Sequence, residues 1–372
     1  MYKAFKYELN LTNKQATDLN RFMGCSRFVY NKFLHRKSEA YKQDQTKLSV
    51  FQLINELTEL KRSEEFLFLR DVHSQVLQSS LRNLDNAFTN FFKGKSKYPN
   101  FKKKSSRQSI QYPQGVKIDN GKIFLPKIGW CKFYKSRDIR GDIKTVTVSK
   151  TPTGRYFVSL LCDTKEIVPN KPKIDKSTSV GLDVGIKVFC YTSDGEVFEN
   201  QKYLKKSLRK LRVEQRSLAR KQKGSNRRNK QKLRVAKVYE KVANQRKDYL
   251  HKISTQLVRD YNTICIEDLN VRGMMKNHNL AKSISDVSWG EFRTMLEYKC
   301  EWYGKNLLVI GRFEPSSKMC NNCGTINKEL TLKDRDWKCG HCNSIVERDY
   351  NAAINIRDFG LGHRPSSVNV VR

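Results

Sequence analysis

The sequence predicts a multidomain chain that combines α/β and α+β architecture. Three observations carry that expectation. An alternating strand opens the chain and helical spacing follows it. Short strands take over after Lys93, and from residue 178 onward strands alternate with helices, as in an α/β sheet. A length of 372 residues is enough for two or three compact domains, each with its own core.

Residues 3–11 alternate, with Phe5, Tyr7, Leu9 and Leu11 set against Lys6, Glu8 and Asn10, the pattern of a half-buried strand. Thr12 with Gln15 reads as a capping box, so a helix is expected from there through about Phe33. Its apolar stripe is Leu19, Phe22, Met23, Val29 and Phe33. Helical spacing returns at Leu77, Leu81, Leu84, Phe88 and Phe91, so residues 13–95 read as a helical layer. Thr145–Lys150 and Tyr156–Cys162 read as a hairpin around Pro152 and Gly154. The opening strand is expected to join this β region, which makes the helical layer an insertion in a β domain. Residues 168–174 read as a linker.

In the second half, strands are expected at Thr178–Asp183, Lys187–Thr192, Thr263–Glu267 and Leu307–Phe313, and a helix near Phe292–Tyr303. Between them lies the most basic stretch. Residues 201–250 hold 19 Lys/Arg against 3 Asp/Glu, and leucine and valine spacing predicts two helices broken at Gly224 to Asn226. Arg357–Arg372 is expected to be poorly ordered.

Charge narrows the function. Lys and Arg number 73 and Asp and Glu 37, a net +36, which implies a polyanionic partner. The aromatic content of 10% sets the chain apart from a disordered basic tail. The longest apolar runs are strand-sized, so no membrane span is expected. The first residues lack a signal-peptide core.

Of ten cysteines, four form Cys320-Asn-Asn-Cys323 and Cys339-Gly-His-Cys342, fifteen residues apart. That is the spacing of a four-thiolate zinc site, whose filled shell leaves no position for substrate and marks it as structural. The other reading is a redox pair or free thiols. His341, between two cysteines, reads as solvated.

Three acids stand out. Asp183 ends an apolar strand, Glu267 ends another, and Asp349 begins a helix after the last cysteine pair. Carboxylates at adjacent strand ends meet above the sheet edge, and in so basic a chain a converging trio suits Mg²⁺. Two such ions about 3.5–4 Å apart would stabilise the attacking and leaving oxygens of phosphodiester hydrolysis. Taken singly, each acid is equally an ordinary strand-end or first-turn carboxylate.

The trio in this order resembles the RuvC-type, RNase H-like nuclease domain of the transposon-encoded TnpB (OrfB) family, relatives of type V CRISPR effectors. The resemblance covers nearly the whole chain. It is carried by Gly24-Cys-Ser-Arg-Phe-Val-Tyr-Asn31, Leu81-Arg-Asn-Leu-Asp-Asn-Ala-Phe88, Tyr98-Pro-Asn-Phe-Lys102, Leu125-Pro-Lys-Ile-Gly129, Ile266-Glu-Asp-Leu-Asn-Val271, Tyr298-Lys-Cys-Glu-Trp-Tyr-Gly304, Pro315 to Cys320, and Asp349 to Ile356. Asn343, Val346 and Glu347 stand where the family often has Gly, His and Asp, and Gly311 where an Asp is common.

The resemblance implies an RNA-guided DNA endonuclease that cuts beside a short target-adjacent motif. Asp183, Glu267 and Asp349 would be catalytic and bind two Mg²⁺ ions, and Cys320, Cys323, Cys339 and Cys342 would bind one structural Zn²⁺. The partners implied are a noncoding guide RNA from the transposon end and double-stranded target DNA, in a prokaryotic cytoplasm. The implied domains are a β-barrel wedge (1–12 and 96–170), a helical recognition insertion (13–95), a RuvC domain (176–312 and 346–358) with a basic hairpin at 201–260, a target-binding zinc ribbon (313–345) and a tail (359–372). Lysines and arginines of 201–250 would line the channel for the guide–target duplex. Tyr98, Phe101, Trp289 and Trp302 read as core packing before base stacking. Two alternatives are a guided DNA-binding regulator without cleavage and a strand-transferring transposase. The spacing of the six histidines excludes the paired-histidine type of strand transfer.

Overall fold

The computed structural model describes residues 1–331 and 333–363. The chain divides into two units, Met1–Glu166 and the residues from Ile167 onward.

The first unit opens with β1 (Tyr2–Asn10), followed by α1 (Asn13–Asp44), α2 (Val50–Leu60), a 3₁₀ segment at Glu64–Asp71 and α3 (Ser74–Phe92). Thr12 and Gln15 cap each other reciprocally at the start of α1, and Ser49 and Gln52 do the same for α2. α1 runs past the expected end at Phe33, because its apolar stripe continues through Leu34 and Ala40 before Gln45 turns left-handed.

The rest of this unit is β2 (Gln108–Tyr112), β3 (Lys117–Asp119), β4 (Lys122–Leu125), β5 (Gly129–Phe133), β6 (Asp142–Lys150) and β7 (Tyr156–Asp163). With β1 they form one antiparallel sheet in the order β2-β6-β7-β1-β5-β4-β3. β1 therefore pairs with strands that follow the helices, Phe5 opposite Leu160 and Tyr7 opposite Val158. Leu19, Phe22 and Val29 of α1 and Leu77, Leu81 and Leu84 of α3 share a core with Tyr7, Val158 and Leu160. Tyr98 and Phe101 do not enter it. They are 45% and 56% exposed, and Tyr98 leans edge-on against Phe88 and Phe91.

The second unit contains β8 (Ser179–Val184), β9 (Val188–Thr192), β10 (Val197–Glu199), α4 (Tyr203–Ala219), α5 (Asn226–Asp260), β11 (Thr263–Glu267), α6 (Val271–Met274), α7 (Ala281–Val287), α8 (Trp289–Trp302), β12 (Asn306–Ile310), β13 (Asp336–Lys338), β14 (Ile345–Glu347) and α9 (Arg348–Gly360). Its main sheet runs β10-β9-β8-β11-β12, with β8, β11 and β12 parallel. One face carries Val180, Leu182, Ile264 and Ile266 into a core with Leu250, Leu257, Phe292 and Leu296 of α5 and α8. On the other face Cys265 and Ile310 meet Ile356 of α9.

Two expectations are corrected here. β12 stops at Ile310 because its partner β11 ends at Glu267, opposite Ile310, and Phe313 is left 93% exposed. α9 extends through Gly360, because Phe359 packs on the Cys265–Ile310–Ile356 cluster and Gly360 lies against Cys265. Residues 364–372 of the expected tail lie outside the described residues.

Candidate functional site

Leu182 pairs with Ile266 in parallel register, so Asp183 and Glu267 follow side by side at the ends of β8 and β11. Alternation sends Leu182 and Ile266 under α8 and turns Gly181, Asp183, Cys265 and Glu267 to the opposite face. α9 crosses that face at Gly181, where a Cβ would stand 2.0 Å from the Ala353 carbonyl oxygen. Only glycine allows so close a crossing, and it brings the first turn of α9, with Asp349, to the strand ends.

The electrostatics record the convergence. Burial, then Glu267, then Asp349 push the Asp183 carboxyl up to about 8. Burial also raises Glu267, opposed by Ser316 Oγ, which donates to Glu267 Oε1 at 2.6 Å. Asp349 holds two arginines: Arg335 Nη1 donates to Oδ2 at 2.5 Å, and Arg348 Nε and Nη2 donate to Oδ1 at 2.9 and 2.8 Å. Three carboxylates, one of them kept protonated at neutral pH chiefly by burial and then by its acidic neighbours, form a hard-oxygen set that suits a divalent cation. Among the described residues, however, only the four cysteines bring three or more ligand atoms within 4.8 Å of one another, so the three carboxylates are not all within that distance of one another.

The cysteine cluster is built from two matching turns. Gly324 N donates to Cys320 O and Cys320 N to Thr325 O. In the second turn Asn343 N donates to Cys339 O and Cys339 N to Ser344 O, all at 2.8–3.0 Å. Gly324 and Asn343 hold the same place, with φ of 74° and 58°, and Asn tolerates the left-handed region without strain. The departure from Gly at 343 therefore leaves the turn intact. Sγ of Cys320 lies 3.7 Å from that of Cys342, and Sγ of Cys323 lies 3.5 Å from that of Cys339. A zinc–sulfur bond of about 2.3 Å in a tetrahedron gives sulfur–sulfur edges of about 3.8 Å, so the four thiols fit Zn²⁺. The Thr325 hydroxyl, first among its neighbours, pushes the Cys323 thiol down to about 5, and Ser344 lowers Cys342 in the same way. Burial pushes Cys320 up to about 12.

Sequence reasoning passed over the residues that tie the two clusters together. Asn351 and Asn355 lie four apart on α9, on one face of the helix, and are 2% and 1% exposed. Asn351 Nδ2 donates to Met319 O at 2.8 Å, and Asn355 Nδ2 donates to Ser316 O and Met319 O at 2.7 Å each. Asn351 Oδ1 accepts from Asn321 N at 2.8 Å. Ser316, held at its carbonyl by α9, is also the hydroxyl that holds Glu267. The signal lay in the Asp-x-Asn-Ala-Ala-x-Asn run, whose asparagines have helical spacing. Arg335 had no such signal, since only the fold of the cysteine segment brings it to Asp349.

The basic stretch folds as the antiparallel pair α4 and α5. Leu211, Val238 and Val242 form its buried seam, and Arg212, Arg216, Lys237 and Lys241 are exposed. Trp289 is buried, and Trp302 is half-buried with its ring centroid 4.6 Å from that of Tyr298. No helix among the described residues is long and apolar enough to cross a membrane.

Residues 159–278 match the OrfB family described as "Probable transposase", and residues 289–356 match the "Cas12f1-like, TNB domain". Residues 1–46 match a "Helix-turn-helix domain", although the fold there is one strand and one 32-residue helix. A Streptomyces pristinaespiralis protein provisionally named an RNA-guided DNA endonuclease is 43% identical over 96% of this chain and 89% of its own length. The InsQ protein of Escherichia coli K12, provisionally named likewise, is 36% identical over 97% of this chain and 92% of its own. In fold, the chain is similar to Cas12f1 as solved in a complex with sgRNA and target DNA. The TM-score is 0.59 at 16% identity, over 92% of this chain and 82% of that one. Identity over nearly the full length of two relatives decides the family: this chain belongs to the TnpB (OrfB) family.

Proposed function

We propose that this protein is a transposon-associated RNA-guided DNA endonuclease that hydrolyses phosphodiester bonds at Asp183, Glu267 and Asp349. The observation that carries the reading is the meeting of these acids on one face of the sheet, in a chain of net charge +36 whose full-length relatives are named for that activity. The three carboxylates would hold Mg²⁺, which when bound supplies charge stabilisation at the transferring phosphoryl group. The chain's own residues prepare the site. Ser316 orients Glu267 through its hydroxyl. Asn351 and Asn355 fix α9, and with it Asp349, against the segment that carries Ser316. Arg335 and Arg348 place two guanidinium groups where a phosphodiester would approach Asp349.

In this reading the residues from 176 form an RNase H-like nuclease domain, and the cysteine segment is a zinc ribbon that binds target nucleic acid. The first unit is the wedge domain with its helical recognition insertion. The α4–α5 hairpin contributes backbone contacts to a guide–target duplex, while base pairing reads the sequence. RNA sequencing of material that co-purifies with the protein, expressed from its own locus, tests the reading. One discrete RNA that spans the transposon end and runs into flanking sequence is expected. Random RNA, or none, would overturn guidance.

A further inference from the structure

α3 ends in a row of rings. Phe88 is buried and anchors the row in the core, while Phe92, one turn on, is 72% exposed. Phe88 and Phe92 stack with centroids 6.3 Å apart and planes 25° from parallel. Phe91 lies 5.3 Å from Phe92 and 5.4 Å from Tyr98, centroid to centroid. The segment that follows α3 is pinned to α1 at two points. Tyr98 Oη lies 2.7 Å from Ser38 Oγ. Asn31 brackets Lys102: its Nδ2 donates to the Lys102 carbonyl at 3.0 Å, and its Oδ1 accepts from the Lys102 N–H at 2.7 Å. Tyr98 and Phe101 are exposed on a segment held at both ends. Residues 93–104 carry six lysines and no acid.

These features select the partner. Apolar area left uncovered beside charge of one sign marks a binding surface, and lysines without acids select a polyanion. Exposed rings select a polyanion whose own flat faces are free to stack. That is an unpaired nucleic-acid strand, since a duplex turns its base faces inward. Every base has a π-face, so rings and lysines hold all sequences alike. A partner of constant sequence is better held by hydrogen bonds to base edges. The strand that a DNA target gives up when the guide pairs with its complement differs from target to target. We propose that Phe92, Tyr98 and Phe101, with the lysines of residues 93–104, form a stacking platform for that displaced DNA strand. The proposal rests on the reading of the chain as RNA-guided. It gives the first unit a share in holding the DNA open, because bases stacked on the rings are withheld from re-pairing.

The test uses the full chain with its guide RNA and a matched target in EDTA buffer. 2-Aminopurine, whose fluorescence is quenched by stacking, replaces one base of the displaced strand at a time. Displacement should brighten most positions and leave at least one dark. Phe92→Leu removes a ring from an exposed position and breaks no hydrogen bond. It should brighten a dark position and weaken target binding by about fivefold or more. Tyr98→Leu should do the same at that position or the next, while Phe92→Tyr and Tyr98→Phe keep it dark. Brightness and affinity equal to wild type in both leucine variants would overturn the platform. So would a ring-dependent dark position found in the guide RNA or the paired target strand instead of the displaced one. If no position brightens when the target is added, no strand is displaced; the guided reading then falls and the platform falls with it.

Discussion

Asp183 and Glu267 leave neighbouring parallel strands at the same level and on the same face, because Leu182 and Ile266 are paired one step before them. A buried carboxylate beside other acids must be relieved by a proton or a cation, for burial first and like charge second disfavour its ionised form. In the metal-free protein the Asp183 carboxyl is pushed up to about 8, far above its unfolded value. Its favourable contribution to folding is therefore complete below about pH 4 and lost as pH rises through 8. Asp183→Asn should stabilise the EDTA-treated protein at pH 8 by about 2–5 kcal/mol, and the gain should shrink toward pH 4. Thermal unfolding at both pH values checks this, and an unchanged melting temperature at pH 8 would contradict it.

The cysteine segment has a small core of its own. Among the described residues, Leu330, Trp337 and Val346 are the buried apolar side chains that cluster with the cysteines. Such a segment relies on its metal for folding. Elemental analysis should find one Zn²⁺ per chain. A strong chelator, or Cys339→Ser, should release the metal and expose the amides of β13 and β14 to hydrogen exchange, while those of β8 and β11 stay protected. Retained protection in β13 and β14 would show that zinc is not what folds the segment.

Much of this arrangement was legible in the sequence. The strands bearing Asp183 and Glu267 were marked by apolar runs, and the cysteine spacing marked the four-thiol cluster. The capping box at Thr12 fixed the start of α1. What was not legible depends on long-range contact. The end of α1 depends on what Leu34 and Ala40 pack against, and the end of β12 on where its partner stops. The exposure of Tyr98 and Phe101 could not be told from composition, since aromatic residues read alike in a core and on a surface. Arg335 and Ser316 were invisible as site residues because tertiary structure alone brings them to Asp349 and Glu267.

Ser316 gives that point a kinetic form. Its hydroxyl stabilises the charged form of Glu267 and so opposes the upward push of burial. Ser316→Ala should raise the Glu267 pKa further and move the acidic limb of the pH–rate profile to higher pH. Ser316→Thr should restore the limb. A rate lowered uniformly at every pH would mean that Ser316 serves packing alone.

The basic hairpin should show itself in salt dependence. Arg212, Arg216, Lys237 and Lys241 are exposed on α4 and α5. Replacing all four with alanine should reduce the slope of log affinity against log salt by about 3–4, close to one unit per lost phosphate contact. Discrimination between matched and mismatched targets should hold, since pairing reads the sequence. An unchanged slope would place the nucleic acid elsewhere.

Cleavage by the purified protein–RNA complex is the most direct test. A matched double-stranded target carrying the adjacent motif is incubated with Mg²⁺ and the products are resolved by length. Wild type should cut at defined positions, and EDTA should stop it. Asp183→Asn, Glu267→Gln and Asp349→Asn should each lower the rate by about a thousandfold or more while target binding persists, because each removes charge needed in the transition state. Undiminished cutting by any of the three would contradict the assignment of the acid trio, and joined rather than cut ends would make the protein a strand transferase.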